Sequence, residues 1–322
     1  MTSARTAAPG RALDHVPAPA LDRVPAPALF LVSGLTLYLG AAIAVDLFPA
    51  LGAPTVAWLR IVVAAVVLVA WRRPWRTRWT RRDLLVVVLF GAVLSAMNIT
   101  FYIGIEHLPL GTAVAIEFIG PVAVAAFTGR GWRERAGMVL AAVGVLLLAG
   151  VTLGTLGTVG GSDAVAGPDA VVGLVAVGAA AVCWAGYILL GRRIALGDSG
   201  VTSLSLAMLA GGLVFAPAFA ASASPALRDP RLAFAVVGVA VLSSVIPYVI
   251  DQVIMRRLSS ATFALMTALL PATATLVGAV VLRQLPTPLE MLGLVAVSAA
   301  IALTSFTPGD RTPRVRGGPA TG

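Results

Sequence analysis

The chain has no lysine, one cysteine, one asparagine and two histidines in 322 residues. Each shortage removes a class of chemistry. Without lysine there is no Walker A phosphate loop, whose lysine must reach the nucleotide phosphates. Cys183 alone can form neither a disulfide within the chain nor a thiolate cluster, and it falls inside an apolar run. Neither histidine belongs to an H-E-x-x-H motif: His15 lies in a Pro-rich N-terminal stretch, and His107 follows Glu106 in a short connection, where the two read as a solvated pair. No metal, cofactor or enzymatic activity is therefore expected. Charge is scarce too: charged residues are 11% of the chain and hydrophobic ones 59%, whereas a soluble domain is nearer a quarter charged.

What fills the chain is apolar. Ten runs lie at roughly 28–48, 54–71, 84–104, 111–128, 136–153, 170–190, 201–221, 232–252, 261–282 and 289–306. Each is near the about 20 residues that a helix needs to cross roughly 30 Å of hydrocarbon. The fold class this predicts is an all-α integral membrane protein with ten transmembrane helices. The 23 basic residues are all arginine, and all but Arg60, Arg228, Arg231 and Arg283 sit in the tails or in every second gap. Basic residues near span ends stay on the cytoplasmic side, which predicts cytoplasmic termini in a cell (plasma or inner) membrane. The net charge of +9 is then a topology signal, and no nucleic-acid partner is expected.

Residues 1–27 hold the octapeptide Ala-Leu-Asp-His-Val-Pro-Ala-Pro at 12–19 and a near copy at 20–27. They lack a signal-peptide core and read as a disordered cytoplasmic tail, as do residues 307–322. The longest gap, 154–169, is Gly-rich and free of arginine, so it is expected to face outward. It separates a first five-helix unit, 28–153, from a second, 170–306. An odd number of spans per unit obliges the second to enter the membrane upside down, an inverted repeat of the kind found in many transporters. The units share Leu108 with Leu258, Thr112 with Thr262 and Pro121 with Pro271 at a common offset of 150.

Polar residues within the spans are few. Glu117 lies about six residues, roughly 9 Å at 1.5 Å per residue, from the outer end of the fourth span. A charged side chain near the bilayer centre costs about 2.5–3.5 kcal/mol on insertion scales, so it faces a cavity or a partner. Pro121, four residues on, has no N–H for the carbonyl of Glu117. A substrate-binding or proton-binding role stands beside a structural one that locks helices together. Asn98, in the third span, matches Glu117 in depth across the 105–110 hairpin; it lines the same wall or serves as a polar contact between helices. Asp251, near Pro247 and Tyr248, is an interfacial partner for Arg256 or an inner-gate carboxylate. Arg60 reads first as a snorkelling arginine and second as a counter-charge to Glu117. Position alone puts Trp184 and Tyr187 in an aromatic belt. Asp46 is expected to be exposed.

Three stretches carry a resemblance. They are Leu47-Phe48-Pro49 with Gly52-Ala53-Pro54 and Leu59-Arg60; Pro109-Leu110-Gly111 through Ala115-Ile116-Glu117-Phe118 to Gly120-Pro121; and Cys183-Trp184-Ala185-Gly186-Tyr187-Ile188-Leu189. With the segment from Pro247-Tyr248 to Asp251, they resemble the EamA-type transporters of the drug/metabolite transporter superfamily, and within it the threonine/homoserine exporter branch. The resemblance covers about residues 30–305. It implies a secondary transporter that exports amino acids or related small metabolites by alternating access, with protons as a candidate coupling ion. It also implies a cavity with Glu117 and Asn98 as polar groups, Tyr102, Trp184, Tyr187 and Tyr248 as walls, and Pro121, Pro271 and Pro247 as helix breaks. Efflux of drugs or cationic compounds is the alternative within transport; a membrane-embedded lipid-modifying enzyme is the alternative outside it, and no nucleophile–base pair for one is visible. Two positions depart from the branch: Leu270 and Gln284 stand where it commonly has acids.

Overall fold

The computed structural model describes residues 24–77, 79–128, 131–152, 168–195, 200–247, 250, 254 and 269–305. Every regular element among them is helical. In chain order they are α1 (Ala26–Val45), α2 (Phe48–Leu51), α3 (Ala53–Arg72), α4 (Arg81–His107), α5 (Leu110–Glu117), α6 (Ile119–Thr128), α7 (Trp132–Thr152), α8 (Pro168–Ala195), α9 (Gly200–Phe219), α10 (Ser224–Arg228), α11 (Pro230–Ala240), α12 (Leu270–Val281) and α13 (Pro288–Ser305). A 3-10 turn at Pro74–Arg76 and a π-helical turn at Val241–Val245 complete the set. Five of these helices are long and apolar enough to cross a membrane, namely α1, α3, α4, α8 and α9, while five shorter apolar segments carry α5–α6, α7, α11 with its π turn, α12 and α13.

Local chemistry explains where helices start and break. Proline occupies the first or second position of α2, α3, α10, α11 and α12, where its missing N–H would be unpaired anyway. Thr80 and Asp83 form a reciprocal cap on α4: the Asp83 N–H donates to Thr80 Oγ1 at 3.2 Å, and the Thr80 N–H donates to Asp83 Oδ2 at 3.1 Å. Gly52, at φ 77°, turns the chain between α2 and α3. The fourth span is interrupted at Phe118, between α5 and α6, three residues before Pro121. The π turn precedes Pro247 in the same way. Pro247 offers no N–H to the Ser243 carbonyl, and the Ile246 N–H reaches back five residues to Val241.

The packing has an internal order. Helix α4 lies against α8 and α9, α11 with the π turn lies against α1 and α3, α5 packs on α8 and α1 packs on α12. Helices α3 and α9, α5 and α12, and α7 and α13 also pair across the two runs of helices. Exchanging α1 for α8, α3 for α9, α4 for α11 with its π turn, α5 for α12 and α7 for α13 leaves these partnerships unchanged.

Small residues allow the close crossings. A Cβ on Gly91 of α4 would fall on the Ala207 carbonyl of α9, and one on Gly211 of α9 would fall on Ser95 Oγ. Gly40 of α1 admits the π turn, where a Cβ would stand 2.8 Å from Ser243 Cβ. Such close backbone approaches supply dispersion contact where lipid removes the hydrophobic drive between helices. Outward-facing side chains are apolar: Val66, Leu85, Leu146, Val175, Leu213 and Val280 are all exposed. Exposed Trp75 and Trp132 lie at the arginine-rich end, with the Arg133 guanidinium 5.8 Å from the Trp132 ring centroid. This is the aromatic and cationic trim of a membrane interface.

Candidate functional site

The largest buried cluster gathers Tyr38, Phe48, Trp58, Tyr102 and Phe118 at the bundle end where α3 and α5 begin. Within it lie the polar residues. Arg60 is seven residues into α3 and Glu117 seven residues past the start of α5, so each stands about 10 Å from its helix start at 1.5 Å per residue. Both are buried, at 6% and 9% exposure.

Arg60 corrects the snorkelling reading. Its guanidinium does not reach for either surface. Nε donates to Ser244 Oγ at 2.9 Å, Nη1 to Tyr102 Oη at 3.0 Å and Nη2 to Asn98 Oδ1 at 2.5 Å. The group also lies 5.2 Å from the Tyr102 ring centroid. Asn98 and Tyr102 are four apart on α4 and so share a face. Asn98 is held in turn by its Nδ2 donating to the Leu94 carbonyl at 2.7 Å. The π turn brings the third partner, Ser244. Arg60 is buried because it lies on the same face of α3 as fully buried Ala57 and Ala64, three residues before it and four after.

Glu117 is the last residue of α5, directly before the break, and Pro121 leaves its backbone carbonyl without the usual N–H partner. Tyr38 of α1, Arg60 of α3 and Cys183 of α8 lie within electrostatic reach of its carboxylate. Beside it, Phe118 meets Trp184 edge to face, with ring centroids 4.6 Å apart. Tyr187, one turn further along α8, stacks on Phe90 at 4.8 Å in a separate buried cluster built from α3, α4 and α9. Tyr102 is fully buried and its ring stands 5.9 Å from Phe48. Pro121 is half-buried, Pro247 is buried behind the π turn, and Pro271 is buried in the first turn of α12. Tyr248 and Asp251 lie outside the described residues. Asp46 is exposed, as its position at a helix end suggested.

Sequence reasoning missed Ser244, Tyr38 and the buried role of Arg60. The signal in the sequence is Arg60 as a candidate counter-charge to Glu117, two polar residues at similar depth in apolar spans. The two departures also find places. Gln284 Oε1 accepts the Leu110 N–H at 2.9 Å, satisfying one of the unpaired donors at the start of α5. Leu270 packs on α1, where a Cβ on Gly34 would stand 3.2 Å from its Cδ2. The described residues contain no group of three or more His, Cys, Asp or Glu side chains that could hold a metal ion.

Residues 171–306 match the EamA-like transporter family. The threonine/homoserine exporter RhtA of Escherichia coli K12 is 35% identical over 268 residues, covering 83% of this chain and 87% of that protein. The chain belongs to the EamA-like transporter family. RhtA of Salmonella typhimurium LT2 is 34% identical over the same coverage. One protein of known crystal structure superposes with a TM-score of 0.52, covering 86% of this chain and 95% of that one; at 20% identity it bears on the fold alone. As a family member the chain is a multi-span membrane transporter and not an enzyme. The resemblance carried by the Glu117, Trp184 and Pro247 segments pointed to this family and to its threonine/homoserine exporter branch.

Proposed function

We propose that the protein exports amino acids, threonine- or homoserine-like or more apolar, or related small metabolites, by alternating access of two inverted five-helix units. The observation that carries this reading is Glu117. It is a buried carboxylate at a helix break, with a polar side chain from each of α1, α3 and α8 within its electrostatic reach. Partner relations that survive exchange of the two runs of helices support the repeat. The relatives named as threonine/homoserine exporters support the substrate class.

Coupling follows from the same group. One carboxylate cannot hold a proton and a substrate ammonium together, so protonation releases the ammonium and an inward proton drives outward export. The test is counterflow in proteoliposomes against threonine, homoserine, leucine and a quaternary ammonium dye, with an internal pH reporter. Amino-acid exchange accompanied by proton movement is the expected result. Transport of the dye alone would transfer the site to drug efflux, a reading that the Phe118–Trp184 pair also accommodates, because aromatic faces attract cations.

In this reading both termini and the 72–83 segment lie in the cytoplasm and the 154–169 segment outside, which the distribution of arginine supports. In a Cys183→Ser background, an impermeant thiol reagent should label Ser162→Cys in intact cells and leave Arg78→Cys unlabelled. The reverse pattern would invert the molecule. Leu270 supplies a selectivity prediction. It sits against α1, the helix that also carries Tyr38, and brings no second negative charge. Leu270→Glu is expected to shift preference from leucine towards more polar or ammonium-rich substrates, read as the ratio of their counterflow rates. An unchanged ratio in a folded variant would detach Leu270 from selectivity.

A further inference from the structure

Arg60 and Glu117 bring opposite charges to matching depths from different helices, yet the three hydrogen bonds of the guanidinium all go to neutral oxygens. We propose that Arg60 anchors the carboxylate of the transported molecule while Glu117 holds its ammonium, so that the site selects free α-amino acids bearing both charges. The inference rests on the amino-acid export reading and adds the group that recognises the acid end.

A buried guanidinium is expensive without an anion, because neutral hydrogen bonds replace only part of its lost hydration. Arginine has five N–H donors. Among the described residues Ser244, Tyr102 and Asn98 use one each on Nε, Nη1 and Nη2, which leaves one N–H on each terminal nitrogen. Two such donors can serve the two oxygens of a carboxylate, and charge-assisted bonds of this kind are the strong ones. The fork is also held in place. Its partners come from α4 and from the π turn, and Asn98 is itself fixed to the Leu94 carbonyl. A side chain aligned before binding loses little entropy when the ligand arrives.

Glu117 lies within electrostatic reach of this fork, and among the described residues no carboxylate hydrogen-bonds to Arg60. In an α-amino acid the ammonium and carboxylate are joined through one carbon, with bonds of about 1.5 Å, so its site needs an anion and a cation near each other, and Glu117 and Arg60 are buried within electrostatic reach of one another. Trp184, half-buried on α8 and in edge-to-face contact with buried Phe118, offers the aromatic surface nearest Glu117 for an uncharged side chain.

The test uses the full-length protein in proteoliposomes loaded with threonine, with labelled threonine outside. The competitors are threonine, threonine methyl ester, which keeps the ammonium and loses the anion, and N-acetylthreonine, which does the reverse. For the unmodified protein both derivatives should compete about 10–100-fold more weakly than threonine, the loss of one charge-assisted contact. In Arg60→Gln, threonine should weaken by a similar factor while the ester keeps its affinity, and Arg60→Lys should recover part of the threonine affinity. An ester that competes within about threefold of threonine overturns the proposal while leaving export intact. Equal weakening of threonine and ester in Arg60→Gln also overturns it, by making Arg60 structural. If Arg60→Gln does not fold, the comparison of derivatives on the unmodified protein decides alone. Failure to move threonine, homoserine or leucine at all would bring down the export reading itself, and this proposal with it.

Discussion

Glu117→Gln is expected to leave the protein folded in the membrane and to reduce amino-acid export by about 100-fold. A contact with a charged group is worth about 1.5–3 kcal/mol, and each 1.4 kcal/mol is tenfold in rate or affinity. Glutamine keeps the size of the side chain and can still accept a hydrogen bond, so the break at Phe118 and the contact of Phe118 with Trp184 should survive. What it removes is a titratable group within electrostatic reach of Arg60, and with it the capacity to take up a proton. Arg60 keeps its three hydrogen bonds in the variant, which is why folding is expected to hold. The measurement is the initial rate of threonine counterflow together with the internal pH signal. Both should fall, and any residual flux should lose its dependence on the proton gradient. Near-normal export with an unchanged pH profile would make Glu117 a structural carboxylate. Glu117→Ala is a poorer test, because it also opens a cavity.

Much of the architecture was legible because lipid imposes a simple rule: runs of about 20 apolar residues become helices. The expected spans at 54–71 and 201–221 correspond to α3 and α9 within two residues at each end. The interruption of the fourth span could be read from one missing donor, since Pro121 withholds an N–H from Glu117. Helices α2 and α10 were not read, because four or five residues hold no periodicity and look like loop. The orientation of Arg60 was not legible for a related reason. A membrane helix is apolar on both its lipid-facing and its buried sides, so composition does not tell which way one polar residue points. Only the meeting of α3, α4 and the π turn decides it, through Asn98, Tyr102 and Ser244. Tyr187 shows the converse. The family resemblance implies a wall shared with Trp184, but the ring stacks on Phe90 beside the α3–α4–α9 core.

The crossing of α4 and α9 is expected to be the most sensitive packing contact in the molecule. Gly91→Ala should lower the unfolding temperature by several degrees, and Gly91→Leu should prevent stable assembly. Alanine normally strengthens a helix relative to glycine, by about 0.5–1 kcal/mol. Here the added Cβ would fall on the Ala207 carbonyl and 3.0 Å from the Gly211 N. Those are backbone atoms, so no side-chain rotation relieves the overlap and the helices must separate. Overpacking of this kind costs about 1–3 kcal/mol, which outweighs the gain in propensity. Separation also reaches the site, because Asn98 and Tyr102 lie two and three turns along α4 from Gly91 and hold the Arg60 fork. Gly91→Ala should therefore weaken threonine counterflow along with stability. Gly178→Ala and Gly238→Ala are the controls, since a Cβ at either meets nothing within 4 Å. Thermal unfolding of the detergent-solubilised variants should rank both at or above the unmodified protein and Gly91→Ala below it. Equal stability of Gly91→Ala and Gly238→Ala would mean that α4 and α9 do not touch through Gly91, and that the Arg60 fork is held by something other than this crossing.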